Sequence, residues 1–229
     1  RIVHTRLEVA THYEAMQSVG GDLLDIIRAG RNKYAFLIAD VSGHGVPSAM
    51  ITSMAKVSFM TAVNWNSMPE EVCARVNREM VRLIGDQGYF ISAFLGILDM
   101  ETGLFCFSNA GHHPVLLLRE GQPAKQLDTV GRLLGVWSDS RFGQAAEQLA
   151  PGDRLLFFTD GIIEARNPDG ELYGMERLLE CCRTGPADVG DLLGSLVTDV
   201  DKFCEGRNVD DDRAVLGVAF FGTESLDRY

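Results

Sequence analysis

The sequence predicts an α+β fold of layered antiparallel sheets, and three observations predict it. Strand-like segments come in a block, then helical ones, then strands and helices again, an order that suits α+β layers better than alternating βαβ units. Two apolar runs near the start are separated by a turn short enough for a hairpin. A chain of 229 residues that is 46% hydrophobic and 23% charged has the composition of a globular protein able to bury a sizeable core. No internal repeat or abrupt change of composition divides it, so one domain is expected over residues 1–229.

The elements follow in order. From Leu7 to Val41 the chain reads as extended, with Leu23–Arg28 and Lys33–Val41 joined by Ala29-Gly30-Arg31-Asn32. The run Tyr34–Ala39 is apolar without a break and ends in Asp40, as a central strand buried on both faces would deliver a polar residue at its tip. Ser48–Val63 follows Pro47 and has Met50, Ile51, Met54, Val57 and Phe59 near helical spacing. A second helix is expected over Glu70–Ile84, with Glu70 and Glu71 complementing the positive end of its dipole. Tyr89–Leu118 returns to strand, as two apolar runs joined by Asp99-Met100-Glu101-Thr102-Gly103. Arg154–Thr159 is a strand ending in Asp160-Gly161; Met175–Cys182 and Asp188–Cys204 are helical, and Ala214–Phe221 closes as a strand.

Charge and cysteine usage exclude several classes. A net charge of −11 with no run of Lys or Arg argues against nucleic-acid binding. An acidic protein acting on an anionic substrate would obtain its positive charge most simply from bound cations. Cys73, Cys106, Cys181, Cys182 and Cys204 are odd in number and lack CxxC pairs, so they read as reduced, mostly buried thiols of a cytoplasmic protein and not as a zinc site. No apolar run reaches the ~18 residues of a membrane-spanning helix, so no membrane insertion is expected. The chain begins at Arg1, as expected of the C-terminal part of a longer protein.

Four acidic residues share one setting, each at the end of an apolar run or beside glycine: Asp22 in Gly20-Gly21-Asp22, Asp40 in Asp40-Val41-Ser42-Gly43-His44-Gly45, Asp160 in Thr159-Asp160-Gly161, and Asp211 within Asp210-Asp211-Asp212. Alone, each Asp-Gly is a turn, because Asp accepts local backbone hydrogen bonds and Gly tolerates positive φ. Together they are candidates for one oxygen-rich site, which suits hard ions such as Mg²⁺ and Mn²⁺. His112 and His113 follow Asn109-Ala110-Gly111; neighbours on a strand point to opposite faces, so the two are read as loop residues and not as joint ligands.

The ordered set GGDLLD, ADVSGHGVPSAM, NAGHHPVLLLR, LLFFTDGIIEARN and DDDRAVLGV, spanning about residues 7 to 221, resembles the SpoIIE-type branch of the PPM, or protein phosphatase 2C-like, superfamily. The resemblance implies an αββα sandwich, two antiparallel sheets flanked by helices. It implies a metal-dependent protein serine/threonine phosphatase in which two divalent cations, Mn²⁺ or Mg²⁺ with a third as an open alternative, activate a water or hydroxide against phosphorus. Asp40 would bridge the cations and the backbone carbonyl of Val41 would add a ligand. Asp160 and Asp211 would bind the second cation, and Asp22 would act directly or through water. Asp25 and Asp212 would stand behind the ligands. His44 invites assignment as the general acid, although eukaryotic relatives carry a histidine two positions after the bridging Asp and here it lies four after; the alternative is a loop residue bonded to backbone, with metal-bound water as the proton source. Ala214 stands where the family commonly has Thr, and the three consecutive Asp leave the ligand register open by one residue; Asp211 is preferred because the closing strand follows Arg213.

The same resemblance implies a phosphorylated STAS-domain substrate, an anti-sigma factor antagonist, in a bacterial partner-switching pathway. It also implies an N-terminal sensor or receiver domain on a helical linker that often forms a homodimer, and a switching role for the two helices after DVSGHG. The competing readings are a metal-poor pseudophosphatase that only binds its partner, and a metallohydrolase of small phosphoesters. No GxxxxGK(S/T) loop favours a nucleotide.

Overall fold

The computed structural model describes residues 2–4, 6–66, 68–207 and 209–222. Its strands form two antiparallel sheets, and the chain divides into two compact units, each built on one of them. The first unit gathers Arg1–Met16, Val115–Leu127 and Ala150–Tyr229; the second gathers Gln17–Pro114 and Asp128–Leu149.

The second unit carries the five-stranded sheet in the order β3-β4-β5-β6-β9, formed by β3 (Leu23–Arg28), β4 (Lys33–Val41), β5 (Ile91–Asp99), β6 (Leu104–Ala110) and β9 (Ala145–Gln148). The hairpin of β3 and β4 has the expected bounds, and Ala29 N–H donates to Lys33 O at 2.9 Å to close its turn. Period-two alternation divides β4 between two faces. Ala35, Leu37, Ala39 and Val41 join Ile91, Ala93, Leu95 and Ile97 of β5 in one cluster, beneath α1 (Val46–Trp65) and α2 (Pro69–Ile84). The helices contribute Ile51, Ala55, Phe59, Val72, Val76 and Met80 to it. Phe36, Ile38 and Asp40 therefore leave by the opposite face, where Phe36 and Ile38 are also fully buried, which is why the run is apolar without a break.

The helix α1 is 20 residues long, its richest window has mean hydropathy 1.2, and by length and composition alone it passes for a membrane span. Its buried face is nevertheless that of a core helix, with Ile51, Ala55, Phe59, Ala62 and Val63 packed in the cluster. The amphipathic α2 starts at Pro69 with Glu70 and Glu71 in its first turn, as expected.

The first unit carries the six-stranded sheet in the order β1-β2-β11-β10-β7-β8, from β1 (Ile2–His4), β2 (Leu7–Glu14), β7 (Val115–Leu118), β8 (Lys125–Leu127), β10 (Arg154–Phe158) and β11 (Arg213–Phe220). All eight residues of β11 are buried. Leu116, Leu156, Phe158, Val215 and Ala219 share a cluster with Leu178 and Cys182 of α4 (Gly174–Thr184) and Leu192, Leu193, Leu196 and Val200 of α5 (Val189–Cys204). Asp188 caps α5, its side chain accepting the Asp191 N–H. The segment read as two runs from Tyr89 to Leu118 is three strands, because Gly111 and Pro114 break it and Val115–Leu118 pairs with β10 in the other sheet. Short β8 and β9, and the four-residue α3 (Asp160–Ile163), were not expected; the strands are partly exposed and α3 is a single turn, so they carry little periodic signal.

Candidate active site

In the second unit, β4 ends at Asp40 and Val41 and the chain turns through Ser42-Gly43-His44-Gly45 into α1. Ser42 ties this loop to β5's approach: its N–H donates to Phe90 O, and its hydroxyl accepts the Phe90 N–H, both at 3.0 Å. The Gly20-Gly21-Asp22 turn lies directly against it. A Cβ on Gly21 would stand 2.7 Å from Val41 O and 3.6 Å from Asp40 Oδ1. Only the absence of a side chain lets the turn approach so closely, and it leaves the Val41 carbonyl and an Asp40 carboxylate oxygen bordering one small space. Asp22, next in the chain, is buried. The turn is also held from the helix side: Thr52 Oγ donates to Gly21 O at 2.8 Å, and Val41 N–H donates to the same carbonyl at 3.3 Å.

His44 is exposed, with Gln17 Nε2 3.2 Å from its Nδ1. Asp25 is placed elsewhere than behind the ligands. It shares the helix-facing side of β3 with Leu23 and Ile27, and pairs with Lys56 of α1 at 3.3 Å. Strand alternation explains this, since Asp40 leaves by the other face of the sheet.

In the first unit, Thr159 follows β10 as the residue before α3, which Asp160 opens. Thr159 N–H donates to Ala214 O at 3.1 Å, and Thr159 Oγ accepts the Ala214 N–H at 3.0 Å. The backbone of Ala214 is thus met by the buried Thr159 hydroxyl, one residue past β10. A Cβ on Gly161 would fall 1.9 Å from Asp212 O, so α3 begins in backbone contact with the triple-Asp segment. Gly161, Glu164, Asp210 and Asp211 line a small cavity of about 110 Å³ there.

The structure distinguishes the three consecutive acids. Asp212 is buried and its Oδ1 accepts the Met16 N–H at 2.8 Å. Asp210 is exposed and lies 3.6 Å from Arg207. Asp211 is exposed on the cavity rim, with its Oδ1 accepting the Asp212 N–H at 2.8 Å. β11 opens at Arg213 itself, one residue earlier than expected, which keeps Asp211 just outside the sheet.

Among the described residues no group of three or more His, Cys, Asp or Glu side chains is drawn together closely enough to hold a metal ion. Mg²⁺ and its kin are nevertheless commonly held by one or two carboxylates plus waters. The all-oxygen donors and the space kept open by Gly21 fit such an ion. Thiol chemistry does not fit: burial pushes the Cys73 and Cys182 thiols up to about 12, and all five cysteines are unpaired. The roomiest cavity among those described, about 660 Å³ between α4 and α5, is lined by Cys181, Asp199, Lys202 and other polar residues and none of these acids.

Sequence reasoning missed three residues beside this site: Thr52, Ser92 and His112. Thr52 is one polar residue in an apolar helix. Ser92 carries no motif at all, and is found only through the register that sets it opposite Asp40. His112, read as a loop residue, is buried with its Nδ1 2.8 Å from Ser92 Oγ.

The chain is 27% identical over 233 residues to Protein IcfG of Synechocystis sp., covering 90% of this chain and 37% of that protein. It is 23% identical to phosphoserine phosphatase RsbP of Bacillus subtilis, covering 94% of this chain and 53% of RsbP. It thus spans about half or less of these relatives. Its fold matches that of the SiaA-PP2C domain of Pseudomonas aeruginosa with a TM-score of 0.81 at 21% identity, over 93% of this chain and 85% of that one. The family described as Stage II sporulation protein E (SpoIIE) matches residues 30–221, from the β3–β4 turn to just past β11. With a family match over most of its length and two antiparallel sheets flanked by helices, the chain belongs to the SpoIIE family.

Proposed function

We propose that this chain is a metal-dependent protein serine/threonine phosphatase domain. The observation that carries the reading is the cradle at Gly21, where the Val41 carbonyl and an Asp40 oxygen border a space that any side chain would fill. Asp40, the Val41 carbonyl and Asp22 would hold one divalent cation, and the family resemblance assigns Asp160 and Asp211 to a second. Mn²⁺ and Mg²⁺ both suit these ligands, and a third cation is an open addition. When bound, such cations activate water and neutralise charge on the phosphoryl oxygens. The protein supplies the rest. Asp40 would hold its cation in position, and exposed His44, with Gln17 Nε2 3.2 Å from its Nδ1, would protonate the departing seryl or threonyl oxygen. Asp212 holds the Asp211 segment by its bond to Met16.

The substrate class rests on the family resemblance: a phosphorylated STAS-domain protein in a partner-switching pathway, acted on in the cytoplasm under the control of an N-terminal sensor or receiver domain, with dimerisation through the linker. That RsbP is named a phosphoserine phosphatase supports the phosphoserine part. Five unpaired thiols, three of them buried, support a reducing compartment.

The test is phosphate release from p-nitrophenyl phosphate and from a phosphorylated STAS protein, with Mn²⁺, with EDTA, and in Asp40→Asn. Turnover should require the metal, fall roughly 100-fold or more in the variant, and favour the phosphoprotein, with unchanged circular dichroism. Faster turnover of nucleotides would favour a small-phosphoester hydrolase. Partner binding without turnover under any condition would favour a pseudophosphatase.

A further inference from the structure

The register of β4 and β5 pairs Asp40 with Ser92. Residues directly opposite on antiparallel strands project to the same face, with Cβ atoms about 4.5–5.5 Å apart. Ser92 therefore stands beside Asp40 on the face away from α1 and α2, and its hydroxyl is 2.8 Å from Nδ1 of His112.

The imidazole is held there by a built support. β6 ends at Ala110, and Gly111 bridges to Ala93, which sets the next residue, His112, against Ser92. The Asn109 carboxamide closes the turn from both sides. Its Oδ1 accepts the His112 N–H at 2.8 Å, while its Nδ2 reaches His112 O at 2.9 Å and Asp128 Oδ1 at 2.6 Å. His112 is only 9% exposed. A buried ring fixed by this chain of bonds spends one nitrogen on a hydroxyl that adjoins the proposed ligand Asp40.

We propose that His112, acting through Ser92, is a positioning residue for Asp40. With its proton on Nδ1 the imidazole donates to Ser92 Oγ, which leaves the single hydroxyl proton for the Asp40 carboxylate. A carboxylate so engaged keeps one rotamer, and presents its remaining lone pairs to a cation without first losing rotational freedom. This role deepens the proposed phosphatase reading and rests on it. Partners that orient a metal ligand from behind commonly matter 10–100-fold to metal affinity.

The experiment measures Mn²⁺ affinity directly, by electron paramagnetic resonance of free Mn²⁺ and by calorimetry, and kcat at saturating Mn²⁺. Ser92→Ala and His112→Leu should each weaken Mn²⁺ binding roughly tenfold, with most of kcat regained at saturating metal. His112→Asn, whose Nδ2 can donate where Nδ1 does, should restore affinity. A loss smaller than about threefold in Ser92→Ala overturns the proposal, and that small substitution reads it out even if His112→Leu fails to fold. An Asn variant as weak as Leu overturns the Nδ1 donor. Asp40→Asn separates the two levels: if it binds Mn²⁺ as the parent does, the metal site itself is wrong, whereas loss there with none in Ser92→Ala removes only the positioning role.

Discussion

The hydroxyl of Thr52, in the second turn of α1, donates to the carbonyl of Gly21, 31 residues earlier, at 2.8 Å. Its own helix offers a competing acceptor, Ser48 O, at 2.9 Å. One proton cannot serve both fully, so the position of α1 is felt at the Gly20-Gly21-Asp22 turn through this bond. Thr52→Val keeps the shape and removes the donor. The Mn²⁺ needed for half-maximal phosphate release should rise several-fold, roughly three to ten, with stability changed by about 1 kcal/mol. Thr52→Ser should retain the parent titration. An unaltered Val variant would mean that other contacts hold the turn.

Asp211 and Asp212 should separate function from stability. Asp212→Ala removes the buried acceptor of the Met16 N–H, at a cost of about 1–3 kcal/mol, which for a chain of this size lowers Tm by roughly 2–10 °C. Asp211→Asn retains an acceptor for the Asp212 N–H and should leave Tm within about 2 °C, yet lose metal-dependent turnover. Differential scanning calorimetry beside a phosphate-release assay checks both. Full turnover in Asp211→Asn would move the ligand to a neighbouring acid.

Gly161→Ala meets main chain and not a side chain, because its Cβ would lie 1.9 Å from Asp212 O. Neither α3 nor the start of β11 can yield without losing the Thr159–Ala214 bonds. The expected cost is about 2–4 kcal/mol, read as a lower denaturation midpoint at unchanged m-value. A variant as stable as the parent would show that this contact relaxes freely.

The thiols give a pH prediction. Burial raises Cys73 and Cys182 from 9.0 to about 12. Between those values the unfolded thiol has lost a proton that the folded one keeps, so stability falls as pH rises above about 9. Native protein at pH 8 should react promptly with a thiol reagent at Cys106 and Cys181 at most, the two partly exposed cysteines, and at all five once unfolded. Mass spectrometry of the labelled protein decides this, and fast native labelling of Cys73 would refute its burial.

Much of the local structure and the outline of the site were legible in the sequence. The bounds of β3 and β4 follow from Gly30 and the apolar run, and Pro47, Pro69 and Asp188 mark the starts of three helices, because caps and turns are short-range effects. The candidate acids drew attention because each stands at the end of an apolar run or beside glycine. What the sequence could not supply is whatever depends on register and on which face a strand presents. Asp25 looked like a companion of Asp22, but alternation turns it towards Lys56 on α1. Ser92 is unmarked until pairing sets it opposite Asp40, and His112 reads as a loop residue until the turn at Asn109 folds it onto Ser92. Burial and the bond from Met16 N–H likewise set Asp212 apart from Asp210 and Asp211 only in the folded chain. Composition, turn chemistry and periodicity determine elements from neighbours along the chain; the partners of a side chain tens of residues away are decided only when strands pair and backbones come within van der Waals contact.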